Sequence, residues 1–156
     1  MRIQLASDLH LEYLQQRFPG ERLIAPVPGA DLLVLAGDIA NGDTALRLFA
    51  DWPVPVVFVA GNHEFYDGEF DTVRAQLHEA ARASRITLLD EGSAMFGKVR
   101  ILGCTLWTDY TIYPSVSRQA LMDHAERSIR DHAVIDLGPR RFLPQDALQE
   151  HERSRA

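Results

Sequence analysis

Three short apolar runs, each followed at once by small and polar residues, constrain the fold more than any other feature of the sequence. The runs cover residues 3–6, 32–36 and 56–60. The second and third runs are unbroken, whereas Gln4 interrupts the first. Unbroken apolarity, rather than alternation, is typical of strands that are covered on both faces, as in parallel sheets. Crossover segments separate the three runs, so the pattern predicts an α/β fold with a largely parallel sheet.

The rest of the chain adds helices and two more strands to this framework. Asp43 or Thr44 can cap a short helix, whereas the Pro-Gly pairs within residues 11–30 predict a mostly irregular connection. Apolar spacing predicts further helices over 67–83, from Ser117 to about Arg130, and from Pro144 to the end of the chain, with strands at 86–89 and 99–104. Gly92 and Gly97 mark turns around these strands. No linker or repeat divides residues 1–156, which we take as a single domain.

Composition excludes several classes of function. A net charge of −6 and a pI near 5.4 argue against binding nucleic acid by bulk charge. No stretch approaches the length of apolar sequence that a membrane span needs, and Cys104 is the single cysteine, so an internal disulfide is impossible. Because the first strand begins almost at residue 1, we expect no signal peptide and a cytoplasmic protein.

The residues that follow the three strands are potential metal ligands. They form Ser7-Asp8-Leu9-His10, Gly37-Asp38 and Gly61-Asn62-His63. Each motif alone also fits an ordinary polar turn. The carboxyl ends of parallel neighbours meet at one edge of a sheet, however, and ligands collect there in α/β proteins. The repetition therefore favours a single site.

The chemistry of these side chains suits a dinuclear site that clamps a phosphoryl group. Asp38 is the candidate to bridge two ions, with Asp8 and His10 on the first ion and the Asn62 carbonyl oxygen on the second. Mixed nitrogen and oxygen ligands suit Mn, Fe, Zn or Co better than Ca. His63 can protonate the leaving alkoxide or steady the phosphoryl oxygens, while a metal-bridging hydroxide attacks phosphorus.

Together the three motifs resemble the first three motifs of the calcineurin-like metallophosphoesterase superfamily. The spacing is similar too, with 30 residues from Asp8 to Asp38 and 24 from there to Asn62. Residues 102–109, Leu-Gly-Cys-Thr-Leu-Trp-Thr-Asp, resemble the stretch that follows in a bacterial branch of the superfamily. The resemblance implies a metal-dependent phosphatase or phosphodiesterase acting on a small phosphoester. It also implies an α-β-β-α sandwich, of which this chain would form half, with a mostly parallel sheet and flanking helices.

The family pattern continues with a Gly-His pair and a Gly-His-x-His motif that complete both metal shells, and this chain contains neither. Its remaining histidines are expected to be structural or solvent-facing: His78, His124, His132 and His151. The chain therefore resembles the amino-terminal portion of the family. A truncated product, a protein completed by another chain, and a short form with weak metal binding all fit. Two interpretations stay open. The chain is either an active hydrolase or a catalytically impaired interaction module that associates with a second copy or with a complementing chain.

Overall fold

A parallel four-stranded sheet forms the centre of the molecule. The computed structural model describes residues 1–19, 21 and 24–156. The strands lie side by side in chain order, and all three pairings between them are parallel. Their bounds are β1 Ile3–Ala6, β2 Leu32–Ala36, β3 Val56–Val59 and β4 Ile86–Leu88. With helices flanking this sheet, the predicted fold class is confirmed.

Within the described residues, six α-helices and a short 3-10 helix at His63–Phe65 connect and flank the strands. The α-helices are α1 Leu11–Arg17, α2 Thr44–Leu48, α3 Phe70–Arg82, α4 Arg118–Ser128, α5 Asp131–Val134 and α6 Pro144–Ser154. The longest of these described helices, α3, has 13 residues, and none is both long and apolar enough to cross a bilayer. Ser117 caps α4 by accepting a hydrogen bond from the Ala120 N–H.

Several elements differ from the sequence prediction. Helix α1 replaces the first part of the irregular connection, because Leu11 is buried in the core and the first proline comes only at Pro19. Gly92 is not a turn residue but begins β5 (Gly92–Phe96), which pairs antiparallel with β6 (Val99–Gly103). A second short hairpin joins β7 (Asp136–Leu137) to β8 (Arg140–Arg141).

Helices cover one face of the sheet densely. Leu33, Leu35 and Phe58 on this face are fully buried. From α3, the buried residues are Phe70, Val73 and Leu77, which recur at helical spacing. This face holds most of the apolar core.

The opposite face is only partly covered. Leu32 and Val57 are buried on this face, in a small cluster with Ala94, Phe96 and Ile101 of the β5–β6 hairpin. Beside them Val34 is only half-buried, and Leu5 is 68% exposed. Continuous apolarity predicts cover on both faces, but the hairpin is too narrow to reach β1. The uncovered part opens into a cavity at the carboxyl edge of the sheet.

Candidate metal centre

The loops after β1 and β2 run side by side at the carboxyl edge of the sheet. The Asp8 N–H donates to the Gly37 carbonyl at 3.0 Å, and the His10 N–H donates to the Asp38 carbonyl at 3.1 Å. Asp8, His10 and Asp38 all have left-handed backbone conformations, with φ of 53°, 45° and 54°. Such conformations cost a non-glycine residue about 1–2 kcal/mol, and they concentrate at functional sites.

Glu64 ties the loop after β2 to the loop after β3. One carboxylate oxygen accepts N–H bonds from Ile39 (2.7 Å) and Ala40 (3.3 Å), and the other accepts from Gly61 (2.7 Å) and Asp38 (3.0 Å). The side chain is fully buried. Burial raises the pKa of Glu64, and the N–H groups of Ile39, Gly61 and Asp38 act in the opposite direction. The sequence motif contains Glu64, but we assigned no role to it from sequence.

Two glycines allow the loops to approach this closely. A Cβ atom on Gly61 would overlap the Asp38 carboxylate, and one on Gly37 would lie 2.9 Å from the Gly61 backbone. Gly37 also has φ of 90°, a conformation that favours glycine. The Asp38 carboxylate is thereby seated over the β3 loop, where it accepts the His63 N–H at 2.9 Å.

The structure brings Asp8, His10 and Asp38 together. Each offers a ligand atom, and these atoms all lie within 4.8 Å of one another. One imidazole nitrogen and two carboxylates form a donor set that fits a divalent transition-metal ion. This is the grouping that the first two strand-end motifs predict.

A second cluster joins His10, His63 and Glu12. The two imidazoles face each other with 3.1 Å between their Nδ1 atoms, and Glu12 Oε1 lies 3.8 Å from the first and 3.7 Å from the second. Both Glu12 oxygens are buried and have no hydrogen-bond partner among the described residues. Sequence reasoning missed Glu12, although it lies two residues after His10 on the first turn of α1.

Asn62 is held from the other side of the cavity. Its Nδ2 donates to Asp131 Oδ1 at 2.7 Å, and the Tyr66 hydroxyl donates to the same oxygen at 2.7 Å. Burial raises the pKa of Tyr66, and its hydrogen bond to Asp131 raises it further. The phenol therefore stays a donor. The Tyr66 ring stacks on the His63 imidazole with 3.9 Å between centroids. No sequence signal pointed to Asp131.

These groups border an open cavity of about 620 Å³. Asp8, Asp38, Asn62 and Asp131 line its polar side, and residues of β2, β3, β6 and the segment 104–108 line most of the rest. His10 and His63 are not among the lining residues, although the backbone N–H of each donates to Asp38. The cavity lining thus contains three of the five predicted site residues, and the other two, His10 and His63, are joined to them through these hydrogen bonds to Asp38.

The other histidines have partners elsewhere in the fold or face solvent. His78 contacts Asp90 at 2.8 Å, and His124 is exposed on α4. His132 contacts the Phe142 carbonyl at 2.9 Å, and His151 contacts the Trp107 carbonyl at 2.7 Å. Among the described residues, neither cluster of possible ligands includes any of these four.

A model of the calcineurin-like phosphoesterase family matches residues 1–142. The chain belongs to this family. The match confirms the resemblance that the three strand-end motifs carry, and it covers most of the chain. At the level of the family, it places the chain among phosphoesterase-type hydrolases, which generally use divalent metal ions and act on phosphoesters. No curated protein matches the chain.

Proposed function

We propose that this chain is a metal-dependent phosphoester hydrolase that acts on a small phosphoester through two divalent ions. One observation carries the proposal. Asp8, His10 and Asp38 present ligand atoms within 4.8 Å of one another. They do so beside a cavity large enough for a small phosphoester. Family membership supplies the reaction class.

The residues at the strand ends offer more ligands to one cation than to the other. Asp8, His10 and Asp38 would hold the first ion, while Asp38 and the Asn62 carbonyl oxygen would hold the second. Nitrogen and oxygen donors suit Mn, Fe, Zn or Co. Bound ions of this kind polarise a phosphoryl group and make water a stronger nucleophile. Because the second ion has fewer ligands from this chain, we expect it to bind more weakly than the first.

His63 is the proposed proton donor to the leaving oxygen. Its side chain keeps 19% of its surface exposed and lies between the Asp38 loop and Tyr66. The backbone bond to Asp38 and the ring stack on Tyr66 restrict how the imidazole can move. A positioned acid of this type contributes about 10²–10⁴ in rate.

A catalytically impaired interaction module is the second candidate. Leu102 and Leu106 line the cavity, although 74% and 88% of their surfaces are exposed. A cluster of exposed apolar side chains is typical of an interaction site. In this alternative, a second copy or a complementing chain would cover the cavity, and the retained cation site would serve binding without turnover.

The test combines metal binding with hydrolysis. We expect the purified chain to bind Mn²⁺ in calorimetry and to hydrolyse bis(p-nitrophenyl) phosphate. Asp38→Asn removes a ligand charge, so it should weaken Mn²⁺ binding at least tenfold and abolish turnover. His63→Ala should keep Mn²⁺ binding and lower kcat by about 10²–10⁴.

Matched controls come from exposed positions on helices. Asp71→Asn on α3 and His124→Ala on α4 make the same chemical changes away from the site, and both should behave as the wild type. Hydrolysis that survives both Asp38→Asn and His63→Ala would show that the assigned site is wrong. Tight Mn²⁺ binding without any hydrolysis would favour the interaction module.

A further inference from the structure

Asp131 joins the carboxyl-terminal part of the chain to the proposed site. It opens α5 and lies 69 residues from Asn62 in sequence, yet its Oδ1 accepts the Asn62 Nδ2 at 2.7 Å. The residue is 9% exposed. It also lines the same cavity as Asp8 and Asp38. A nearly buried carboxylate needs hydrogen-bond donors, and here the donors are members of the site.

Two donors converge on the same oxygen of Asp131. The Tyr66 hydroxyl donates to Oδ1 at 2.7 Å, as the Asn62 amide does. Hydrogen bonds to a carboxylate are about twice as strong as bonds between neutral groups. Since the Tyr66 ring stacks on His63, the carboxylate contacts Asn62 directly and His63 through Tyr66. One side chain thus holds both residues of the Asn-His pair.

The hydrogen bond determines which end of the Asn62 amide is free. Nδ2 is the only donor of this side chain, so a carboxylate partner must face Nδ2 rather than Oδ1. The Oδ1 atom then remains to serve a cation. Asp131 itself belongs to neither cluster of carboxylates and imidazoles among the described residues. Its geometry therefore suits orientation of a ligand rather than ligation.

We propose that Asp131 is a positioning residue that orients the Asn62 amide oxygen toward the second ion and holds Tyr66 against His63. The proposal rests on the two-ion site of the proposed function. Residues that orient metal ligands typically contribute about 10–100-fold to metal affinity. We therefore expect Asp131→Ala to weaken the weaker Mn²⁺ site by about 10–100-fold and to leave the tighter site unchanged.

Three variants separate positioning from a structural role. Asp131→Asn keeps an oxygen that can accept from both donors, so it should retain most of the Mn²⁺ affinity that Asp131→Ala loses. Tyr66→Phe keeps the ring but lacks the hydroxyl, so it should lower kcat more than it lowers Mn²⁺ affinity. Asp136→Asn changes a half-buried carboxylate that pairs with Arg141 in the same segment, and it should match the wild type.

Calorimetry and amide NMR of the full chain test the proposal together. Calorimetry with Mn²⁺ gives both affinities. The side-chain NH₂ signals of Asn62 in metal-free protein, assigned through Asn62→Asp, report the hydrogen bond directly. Asp131→Ala should shift these signals, and Asp136→Asn should not. If Asp131→Ala leaves both these signals and the Mn²⁺ affinity of the weaker site unchanged, the role of Asp131 is wrong, while the proposed function is unaffected.

The remaining outcomes are also decisive. A loss of both Mn²⁺ sites together, without rescue by Asp131→Asn, would show a structural role and overturn positioning. Wild-type protein that binds no Mn²⁺ would overturn the proposed function itself. Wild-type protein that binds only one Mn²⁺ would overturn the proposal of a second ion. It would also overturn the role of Asp131 in orienting a ligand for that ion.

Discussion

The two faces of the central sheet differ in how they are covered. On the helix-covered face, Leu33, Leu35 and Phe58 are fully buried among the residues of α2 and α3. On the opposite face, the β5–β6 hairpin buries Leu32 and Val57 but leaves neighbouring apolar residues partly open. The first face has the packing of a protein core. The second borders the cavity.

This difference separates the part of the sheet that stabilises the fold from the part that borders the candidate site. The dense face supplies most of the buried apolar area, which is the main favourable contribution to folding. The strand ends and the open face supply polar groups and space. Substitutions on the dense face should therefore cost more stability than substitutions on the open face.

Phe58→Ala should reduce the free energy of unfolding by about 3–5 kcal/mol, because it leaves a cavity in the dense face. The next residue, Val59, points to the other face and is only half-buried, so Val59→Ala should cost about 1 kcal/mol. Urea denaturation followed by circular dichroism measures both. Equal losses at the two positions would contradict the contrast between the faces.

Glu64→Gln should cost about 2–4 kcal/mol of unfolding free energy. The new NH₂ group would face two of the four N–H donors that the carboxylate now accepts, and a buried donor without an acceptor costs about 1–3 kcal/mol. Mn²⁺ binding should weaken too, since Glu64 holds the Asp38 loop in place.

The matched control for this change is Glu79→Gln, at an exposed position on α3. It should leave denaturation and Mn²⁺ titrations unchanged. If Glu64→Gln denatures as the wild type does, the buried carboxylate does not organise the strand ends.

Asp90→Asn should cost about 1 kcal/mol at neutral pH, a value that allows for solvent screening of a partly exposed pair. Burial raises the pKa of Asp90, but hydrogen bonds from Arg74 and His78 outweigh it, so the pKa lies below its usual 3.8. Arg74 binds both carboxylate oxygens, at 2.7 and 2.8 Å. This substitution therefore tests an ion pair that lies outside both faces of the sheet.

The lowered pKa gives this prediction a pH dependence. A carboxyl group with a lowered folded-state pKa stabilises the protein above its unfolded pKa, and that contribution is lost as pH falls through the folded value. The difference between wild type and Asp90→Asn should therefore be full near pH 7 and should be lost as the pH falls below 3.8 and through the folded-state pKa. A difference that stays constant over this range would show that charge is not involved.

Leu102→Ser should change the free energy of unfolding by less than about 0.5 kcal/mol, because the side chain is 74% exposed. Sedimentation at several concentrations adds a second readout. If the open face is an interface between copies, the substitution should weaken association without changing stability. A loss above about 1 kcal/mol in a monomer would mean that Leu102 is covered within the chain.

Most of the fold could be predicted from local sequence, and the misses have physical causes. The apolar runs of β1, β2 and β3 and the stripe of α3 are patterns that a few residues define. Helix α1 was missed because its seven residues are short of an independent helix and depend on burial of Leu11. Strand β5 was missed because its residues form a strand only by pairing with β6.

Local sequence was enough to identify the family and the candidate ligands at three strand ends, because a parallel sheet brings those ends to one edge. The tertiary structure alone decided what surrounds them. Glu64 accepts hydrogen bonds from four N–H groups in two loops, and Glu12 lies beside the His10–His63 pair. Asp131 accepts a hydrogen bond from Asn62, which lies 69 residues earlier in the chain. Such contacts depend on how helices pack on the sheet, and no local pattern of residues encodes that packing.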